Sequence, residues 1–366
     1  MILSLNKNAF KEVVGSVARF AERRSGSLPV LAGIALIAGD DGIKLRATNL
    51  ETGIDMRVEG TIEETGVVVL PANVLRDITS SMSGAGEITL EHAGDTVVLS
   101  QGNAKSTLKT LPSEDFPILP LPDAPTSEFT LPGAVLGNLI SSVVAFASTS
   151  TVRPELSSVF LRAEAGTLTA VATDSFRLAE KKLSLSGAIP PFSMLIPAKN
   201  ALDIVQTLPD TDVKVSLDEH QCVITWEGGL VTTRLVAANY PDYAQIIPKS
   251  FVAEAVLIKK DFETALKRTS VFSDTFQKVR LAFDPGMKKI RLAAQNADIG
   301  ESNEEVSGGV TGDGVELSFN HRYLSAPLSI ISSESITLCA SGIGRALVLR
   351  GSGDNSFLYL VMPMNQ

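Results

Sequence analysis

Residues 10–18 read FKEVVGSVA, and their apolar side chains follow the spacing of one helix face. The same spacing returns about 126 residues later in residues 136–144, LGNLISSVV, and after a similar interval in residues 262–270, FETALKRTS. The third copy begins on an aromatic residue and keeps the apolar pattern through its first turn. Because the interval is close to one third of the 366-residue chain, these stretches predict three copies of one domain.

Three further kinds of segment recur in the same order. A strand followed by a turn that contains Asn or Asp is predicted at residues 45–49, 169–174 and 290–296. A second helix is predicted to start within residues 70–73, 196–199 and 319–322. A closing strand is predicted at residues 106–111, 232–236 and 357–362. Since several segment types keep one order and one interval, a chance alternation of helices and strands does not explain the pattern.

Each repeat is predicted to be an α+β domain with two helices and several antiparallel strands. Pro71 and Pro197 are expected in the first turn of their helices, where the missing N–H has no partner to lose. Short glycine-rich turns are expected to separate the strands. Prolines concentrate between Pro112 and Pro132, as is typical of a stiff linker. We predict three tandem domains at residues 1–124, 125–249 and 250–366.

The sequence lacks the motifs of common enzyme classes. His92, His220 and His321 lie in different repeats, and none has metal-ligand spacing with another His or a Cys. There is no phosphate-binding loop and no glycine motif of a dinucleotide site. Cys222 and Cys339 lie in strand-like runs and are expected to be reduced core residues. We predict no catalytic residue, metal or cofactor; an enzyme whose site assembles from distant residues stays an alternative.

The chain shows no targeting signal. Its first residues lack the basic start and apolar core of a signal peptide, and no apolar run approaches the roughly 18 residues of a membrane span. We therefore expect a cytoplasmic protein with no membrane partner.

Charge is unevenly distributed along the sequence. The formal net charge is −9, which taken alone argues against nucleic-acid binding. The predicted helical segments together carry a net positive charge, so the acidic excess lies in the rest of the chain. If these helices line a channel, DNA phosphates would meet a positive wall without any preference for base sequence. The alternative is that the basic residues only decorate exposed helix surfaces.

Residues 171–179, VATDSFRLA, and residues 359–364, YLVMPM, together with the repeat, resemble the bacterial DNA sliding clamps. That family is the β subunit of the replicative DNA polymerase III holoenzyme, and the resemblance spans the whole chain. It implies a non-catalytic processivity factor: two three-domain chains form a head-to-tail dimeric ring whose helices line the hole. An ATP-driven loader opens such a ring, so ATP is not expected to bind this chain.

The resemblance also implies partners and sites. The expected partners are double-stranded DNA, the replicative polymerase catalytic subunit, the clamp loader, other proteins with a clamp-binding motif, and a second copy of the chain. The expected partner-peptide pocket comprises Leu156, Thr173, Ser175, Phe176, Arg177, Leu178, Pro241, Ile246, Val361, Met362, Pro363 and Met364. The expected DNA contacts are Arg24, Arg153, Lys199, Asn320 and Tyr323. The expected dimer interface comprises Ser106, Leu108, Val271 and Phe272.

The sequence departs from the family pattern at several positions. Ser175 and Phe176 stand where the family often has Gly-His, which makes the expected pocket more apolar. Arg177 is expected to hold a carbonyl or an acidic group of the partner at the rim. Two alternatives stay open. Val361 and Met362 could be simply the last core strand of the third repeat, and the protein could be a repeat-built adaptor that binds proteins without encircling DNA.

Overall fold

The structure is a computed structural model, and it describes residues 1–22, 28–84, 86–122, 124–185 and 189–364. The first repeat contains β1 (Ile2–Asn6), α1 (Lys7–Val17), β2 (Gly33–Gly39), β3 (Gly42–Thr48), β4 (Thr52–Val58), β5 (Gly60–Glu64), β6 (Gly66–Pro71), α2 (Ala72–Ser81), β7 (Glu87–Ala93), β8 (Thr96–Gln101) and β9 (Ala104–Lys109). The second contains β10 (Ser127–Pro132), α3 (Gly133–Val144), β11 (Ser158–Glu164), β12 (Thr167–Thr173), β13 (Arg177–Ser184), β14 (Phe192–Pro197), α4 (Ala198–Val205), β15 (Asp212–Leu217), β16 (Gln221–Trp226) and β17 (Gly229–Arg234).

The third repeat follows the same order. It contains β18 (Ala253–Ile258), α5 (Lys259–Ser270), β19 (Lys278–Asp284), β20 (Lys289–Asn296), β21 (Gly300–Gly312), β22 (Val315–Asn320), α6 (His321–Ser325), β23 (Ser335–Ala340), β24 (Leu347–Gly351) and β25 (Phe357–Val361). Short 3-10 helices occur at Pro29–Ala32, Tyr243–Ile246 and Ala326–Ser329. All three repeats read β-α-four strands-α-three strands, except that the first divides one strand into β4 and β5. The predicted α+β repeat is confirmed.

The first helix of each repeat buries the predicted face. In α1, Phe10, Val14 and Val17 are fully buried, and the side chain of Asn6 caps the helix by accepting the N–H groups of residues 8 and 9. The corresponding buried residues are Leu136, Leu139, Ile140, Val143 and Val144 in α3, and Phe262, Ala265, Leu266 and Thr269 in α5. The third copy thus keeps its inward face although Thr269 is polar, because its hydroxyl donates to the carbonyl of Ala265.

The chain divides into two compact units. The first unit comprises Met1–Asn138, Ile189–Phe192 and Lys199–Ala237. It contains a five-stranded sheet, β5-β1-β7-β8-β9, and an eight-stranded sheet, β10-β15-β16-β17-β4-β3-β2-β6. The second unit comprises Leu139–Ala188, Ser193–Ala198 and Ala238–Gln366, and it contains a twelve-stranded sheet, β14-β11-β12-β13-β25-β24-β23-β18-β21-β20-β19-β22.

Strands of neighbouring repeats pair in both units. In the first unit, β17 of the second repeat pairs antiparallel with β4 of the first, with Val231 opposite Ile54. In the second unit, β25 of the third repeat pairs antiparallel with β13 of the second, with Ala179 opposite Tyr359. Each pairing therefore joins the last strand of one repeat to the strand that follows the Asn/Asp turn of the preceding repeat.

Several details differ from the sequence-based prediction. Pro71 and Pro197 close β6 and β14 immediately before their helices instead of lying in the first helical turn. The closing strands of the first two repeats begin two or three residues before the predicted ones and end two residues before them, because local sequence does not fix where a strand ends, whereas β25 begins at Phe357 as predicted and ends one residue early. Cys222 and Cys339 are free and buried, as predicted, and burial raises the pKa of the Cys222 thiol to about 12. Among the described residues, no helix is long and apolar enough to cross a membrane.

Candidate functional site

The turn between β12 and β13 is closed by its own side chains. Thr173 Oγ1 donates to the carbonyl of Arg177 at 2.6 Å. Asp174 Oδ1 accepts the backbone N–H groups of Phe176 and Arg177, both at 3.0 Å. Ser175 has a φ of 78°, a left-handed conformation that a non-glycine residue adopts only when its surroundings hold it there. These bonds fix the tip of the turn, where Phe176 is 61% exposed.

The first repeat contains the same turn with different side chains. Thr48 Oγ1 donates to the carbonyl of Thr52 at 2.9 Å, and Asn49 Oδ1 accepts the N–H groups of Glu51 and Thr52. Leu50 has a φ of 72°, matching Ser175. The turn is therefore a property of the repeat. The second repeat adds a carboxylate, a phenylalanine and a guanidinium to a backbone that forms equally well without them.

Arg177 lies in a cage of ionic and aromatic groups. Its Nε donates to Asp174 Oδ2 at 2.8 Å, and its guanidinium carbon lies 4.6 Å from the ring centre of Tyr323 and 5.4 Å from that of Phe146. Burial opposes the charge, but the hydrogen bond and the charge of Asp174 outweigh it, so the pKa of Arg177 is raised. The side chain thus stays charged and has its counter-charge within the same turn. The sequence analysis predicted Arg177 as a pocket residue but did not predict the ionic and aromatic groups around it.

The last described residues are attached to this turn. Val361 lies opposite Arg177 in the pairing of β25 with β13, and the N–H of Met362 donates to the carbonyl of Phe176 at 2.8 Å. The N–H of Met364 donates to the carbonyl of Ser318 at 2.7 Å. Val361 is fully buried, so the alternative that it ends a core strand is right. Met362 is not a core residue, because 38% of it is exposed.

The expected pocket residues comprise a buried set, an exposed set and three partly exposed residues, Arg177, Pro363 and Met364. Leu156, Thr173 and Leu178 are buried, Leu178 completely, so they form part of the packed interior beneath the surface. Pro241 and Ile246 are exposed.

The loop that carries Pro241 and Ile246 is held by two tyrosines that the sequence-based prediction missed. Tyr240 stacks on Phe160 at 4.7 Å between ring centres, and Tyr243 donates its hydroxyl to Glu180 at 2.8 Å. Both tyrosines pack against the cluster that contains Leu178. The loop is therefore fixed to the face of the sheet that includes β13. The Tyr-x-x-Tyr spacing of Tyr240 and Tyr243 is the sequence feature that could have indicated these two residues.

The expected DNA contacts differ in their exposure and in the groups that they contact. Lys199 is exposed on α4. Arg153 is paired through Nε with Glu155 Oε1 at 2.8 Å. Asn320 caps α6 by accepting the N–H of residue 322, and Tyr323 packs against Arg177. Arg24 lies outside the described residues. Of these side chains, Tyr323 is brought to the turn of the second repeat, so it adjoins the expected pocket.

The expected dimer residues also differ in exposure. Leu108 lies opposite the fully buried Val97 and is only 4% exposed, because alternation along β9 points it into its own domain. It is therefore not available as an exposed apolar anchor. Ser106 and Phe272 are partly exposed, and Val271, at the end of α5, is 65% exposed.

The described residues hold no cluster of three or more His, Cys, Asp or Glu side chains arranged to bind a metal ion. The arrangement at the turn offers an apolar surface beside a compensated charge. Its chemistry is that of binding.

Comparisons with known proteins agree with this description. Models of the DNA polymerase III beta subunit match three consecutive parts of the chain: the N-terminal domain at residues 1–120, the central domain at 130–242 and the C-terminal domain at 244–365. The beta sliding clamps of Synechococcus elongatus and Pseudomonas aeruginosa are 28% and 29% identical, and each alignment covers 100% of this chain and at least 99% of the relative.

Solved structures give the same result. The DNA polymerase III subunit beta of Pseudomonas aeruginosa superposes with a TM-score of 0.92 at 26% identity, covering both chains completely. A Pseudomonas aeruginosa sliding clamp bound to griselimycin superposes with a TM-score of 0.93 at 27% identity, again over both whole chains. The sliding clamp of Bacillus subtilis gives 0.92 at 26% identity, covering 100% of this chain and 99% of the relative. The chain therefore belongs to the DNA polymerase III beta subunit family.

Proposed function

We propose that this chain is a DNA sliding clamp: two copies close into a ring around duplex DNA and tether the replicative polymerase as a processivity factor. The observation that carries the proposal is the pairing of neighbouring repeats. The last strands of the second and third repeats each pair with the strand after the Asn/Asp turn of the preceding repeat. A chain built this way leaves one such strand without a partner at each end.

The two strands that have a free edge are β9 and the first half of β21. Among the described residues, β9 pairs only with β8, whereas β21 pairs with β20 through Gly300–Ser307 and with β18 through residues 308–312. Joining β9 of one copy to β21 of the next would repeat the internal pairing and remove both free edges. Charge supports this head-to-tail arrangement, because β9 exposes Lys105 and Lys109 whereas β21 exposes Glu301.

The interface would then include Val271 and Phe272 beside β21, and Ser106 with the outward residues of β9. Leu108 would contribute indirectly, because its buried side chain packs β9 against the core of its own domain. A domain division at residues 124/125 and 249/250 agrees with this scheme, because no described helix or strand crosses either boundary.

Contact with DNA would depend on the helices and their flanks. Basic groups that face phosphates give affinity without sequence preference, which a ring that moves along the duplex requires. Among the expected DNA contacts that the structure describes, Lys199 is a basic residue exposed on a helix, which suits this role. Arg24, Arg153, Asn320 and Tyr323 complete the proposed set. Arg153 bonds Glu155 through Nε, so its other guanidinium N–H groups could contact a phosphate oxygen.

The protein partners would bind at the turn of the second repeat, over the residues of the expected pocket. We propose the replicative polymerase catalytic subunit, the clamp loader and other proteins with a clamp-binding motif as partners, all in the cytoplasm. The exposed Phe176, Ile246 and Met362 support a peptide-binding surface, since methionine adapts to differently shaped apolar groups. A sliding clamp of Pseudomonas aeruginosa has been solved bound to griselimycin, which makes griselimycin a candidate ligand for the proposed surface of this chain.

Griselimycin therefore provides the test of the pocket. We expect it to bind the native protein and to bind a Met362→Asp variant at least about tenfold more weakly, because a carboxylate would have to be desolvated on contact. Met287→Asp is the matched control, since Met287 is also exposed, at 63%, and lies in the turn after β19. Equal affinity of all three proteins in calorimetric titrations would contradict the pocket assignment.

A further inference from the structure

The linker after the first repeat contains an extended segment at residues 116–122, which read FPILPLP. Pro117, Pro120 and Pro122 fix their own φ at about −65°, and each proline confines the residue before it to extended backbone. Together these two restrictions act on every residue of the segment except Ile118. The sequence therefore dictates a polyproline II helix, and the structure has neither α-helix nor strand at these residues.

Burial along this polyproline segment repeats with the period of such a helix, which has about three residues per turn. Phe116 and Pro122 are partly buried, and Leu119 between them is only 7% exposed. Ile118 and Leu121, by contrast, are 86% and 54% exposed. The segment thus has an inward row of side chains and an outward row.

The inward row is fixed to the first compact unit. Phe116 packs against a buried cluster of the first repeat, and Leu119 fills the space that a side chain at Gly53 would need. Thr232 Oγ1 donates to the carbonyl of Pro120 at 2.9 Å. Gly53 and Thr232 lie on β4 and β17, which are both paired on each side. The segment therefore lies on a sheet face and not on the free edge of β9.

The fold does not use the outward row. Ile118 and Leu121 bury little area, so their side chains add little to stability. Among the described residues, the hydrogen bond to Pro120 is the only one that a carbonyl of residues 117–121 accepts. An exposed polyproline II ridge with free carbonyls is the feature that aromatic side chains of other proteins recognise, because its backbone is already ordered.

The charges beside the segment determine what kind of partner fits. Glu114 and Asp115 directly precede it, both are exposed, and no described cation pairs with either. Glu51 is exposed at the turn after β3, where its carbonyl accepts the N–H of the exposed Arg234. The carboxylates outnumber this one arginine, so a partner with basic residues is complementary to this surface.

We infer that the outward row, Ile118 and Leu121, is a protein-binding surface for a partner that presents a tryptophan or tyrosine flanked by basic residues. The ring would pack on Ile118 and the neighbouring prolines, and its N–H or O–H would donate to a free carbonyl. The basic residues would face Glu114 and Asp115. This surface belongs to the first unit and includes no residue of the expected peptide pocket, so it goes beyond the proposed function.

NMR titration of the full native protein tests this inference with two synthetic peptides, acetyl-Lys-Trp-Lys-amide and acetyl-Glu-Trp-Glu-amide. The methyl groups of isoleucine, leucine and valine are labelled. We expect the basic peptide to shift the methyl signals of Ile118 and Leu121 saturably, and to bind at least about fivefold more tightly than the acidic peptide. Val152 is the control signal, because it is 87% exposed and lies outside the polyproline segment; it should not shift.

A variant then separates the ridge from a general affinity for tryptophan. Ile118→Ser should weaken binding of the basic peptide, followed at the Leu121 methyl groups, about fivefold, and should keep the native melting temperature because the side chain is exposed. Ile343→Ser is the matched control, since Ile343 is 74% exposed in the other unit, and it should bind like the native protein.

Three results would overturn the inference. They are equal affinity for the two peptides, unchanged affinity in Ile118→Ser, and a lower native mass of Ile118→Ser in sedimentation, which would show that a second copy of the chain covers the ridge. Neither DNA nor griselimycin enters these measurements. Failure here is therefore distinguishable from failure of the proposed ring or of the expected peptide pocket.

Discussion

At the scale of single residues, the turn after β12 has the same backbone conformation as the turn of the first repeat but different side chains. Asn49 and Asp174 accept the same two N–H groups in their respective repeats, so either residue makes the turn. Only the carboxylate of Asp174 can also neutralise Arg177, which is 19% exposed beside two aromatic rings. The turn is structural in both repeats, and in the second repeat it also carries the ion pair between Asp174 and Arg177.

This difference makes Asp174→Asn an informative variant. Asparagine keeps the turn, as Asn49 does, but leaves the guanidinium of Arg177 without its counter-charge. We expect the free energy of unfolding to fall by about 1–3 kcal/mol in denaturant titrations. In the control Asp41→Asn, which loses a pair with Lys44 and whose side chain is 80% exposed, the change should stay within about 0.5 kcal/mol. Indistinguishable losses in the two variants would show that the pair adds nothing beyond a surface contact.

The sequence reveals only part of this residue-level picture. The Thr-Asp turn could be inferred, because its signal lies within a short stretch, whereas the roles of Arg177 and Met362 stay predictions. The positions of Phe146 and Tyr323 around Arg177 could not, because contacts between residues so far apart in sequence depend on tertiary packing. Leu108 was predicted as an apolar residue of the dimer interface, and the structure shows that it faces the core of its own domain.

At the scale of elements, the helices illustrate how local signals succeed and fail. The apolar spacing predicted the buried faces of α1, α3 and α5, since periodicity is visible within one turn or two. The second helix of the third repeat is shorter than its counterparts: α6 ends at Ser325, and the following 3-10 turn contains Pro327. Proline cannot donate the hydrogen bond that would continue the helix. The start of α6 was therefore predictable from the repeat, and its end was predictable from Pro327.

The N-terminal cap of α1 gives a prediction at this scale. Asn6 accepts the N–H groups of residues 8 and 9 at 3.0 and 3.1 Å, so Asn6→Ala should lower the free energy of unfolding by about 1 kcal/mol. Asn8→Ala is the control, because Asn8 is exposed within the same helix and alanine is a better helix former. It should leave stability unchanged or raise it slightly in the same denaturant titrations. A larger loss for Asn8→Ala than for Asn6→Ala would refute the assignment of the cap.

At the scale of the whole molecule, three repeats form two compact units. The threefold repeat was predictable because similar segments recur at one regular interval along the sequence. The pairing of β17 with β4 and of β25 with β13 was not, because strand partners from different repeats leave no local signal. Among the described residues, β9 and the first half of β21 each pair on one side only.

Closure through these edges predicts the effect of an interface variant. Val271→Asp should shift the native mass in sedimentation from twice that of one chain toward that of a single chain, because a carboxylate would be buried without a partner. Val152→Asp is the matched control, since Val152 is also an exposed valine, at 87%, and lies in the loop after α3. The control should remain dimeric. A dimeric Val271→Asp protein would place the interface elsewhere.

The most direct test of encirclement compares retention on closed and open DNA. The protein is loaded onto nicked circular DNA by a bacterial clamp loader with ATP, and half of the sample is then cut once with a restriction enzyme. Gel filtration measures the protein that stays with the DNA. A ring held by topology should remain on the circles and slide off the linear molecules. Equal retention on both forms would contradict encirclement and favour a protein that only adheres to the DNA surface.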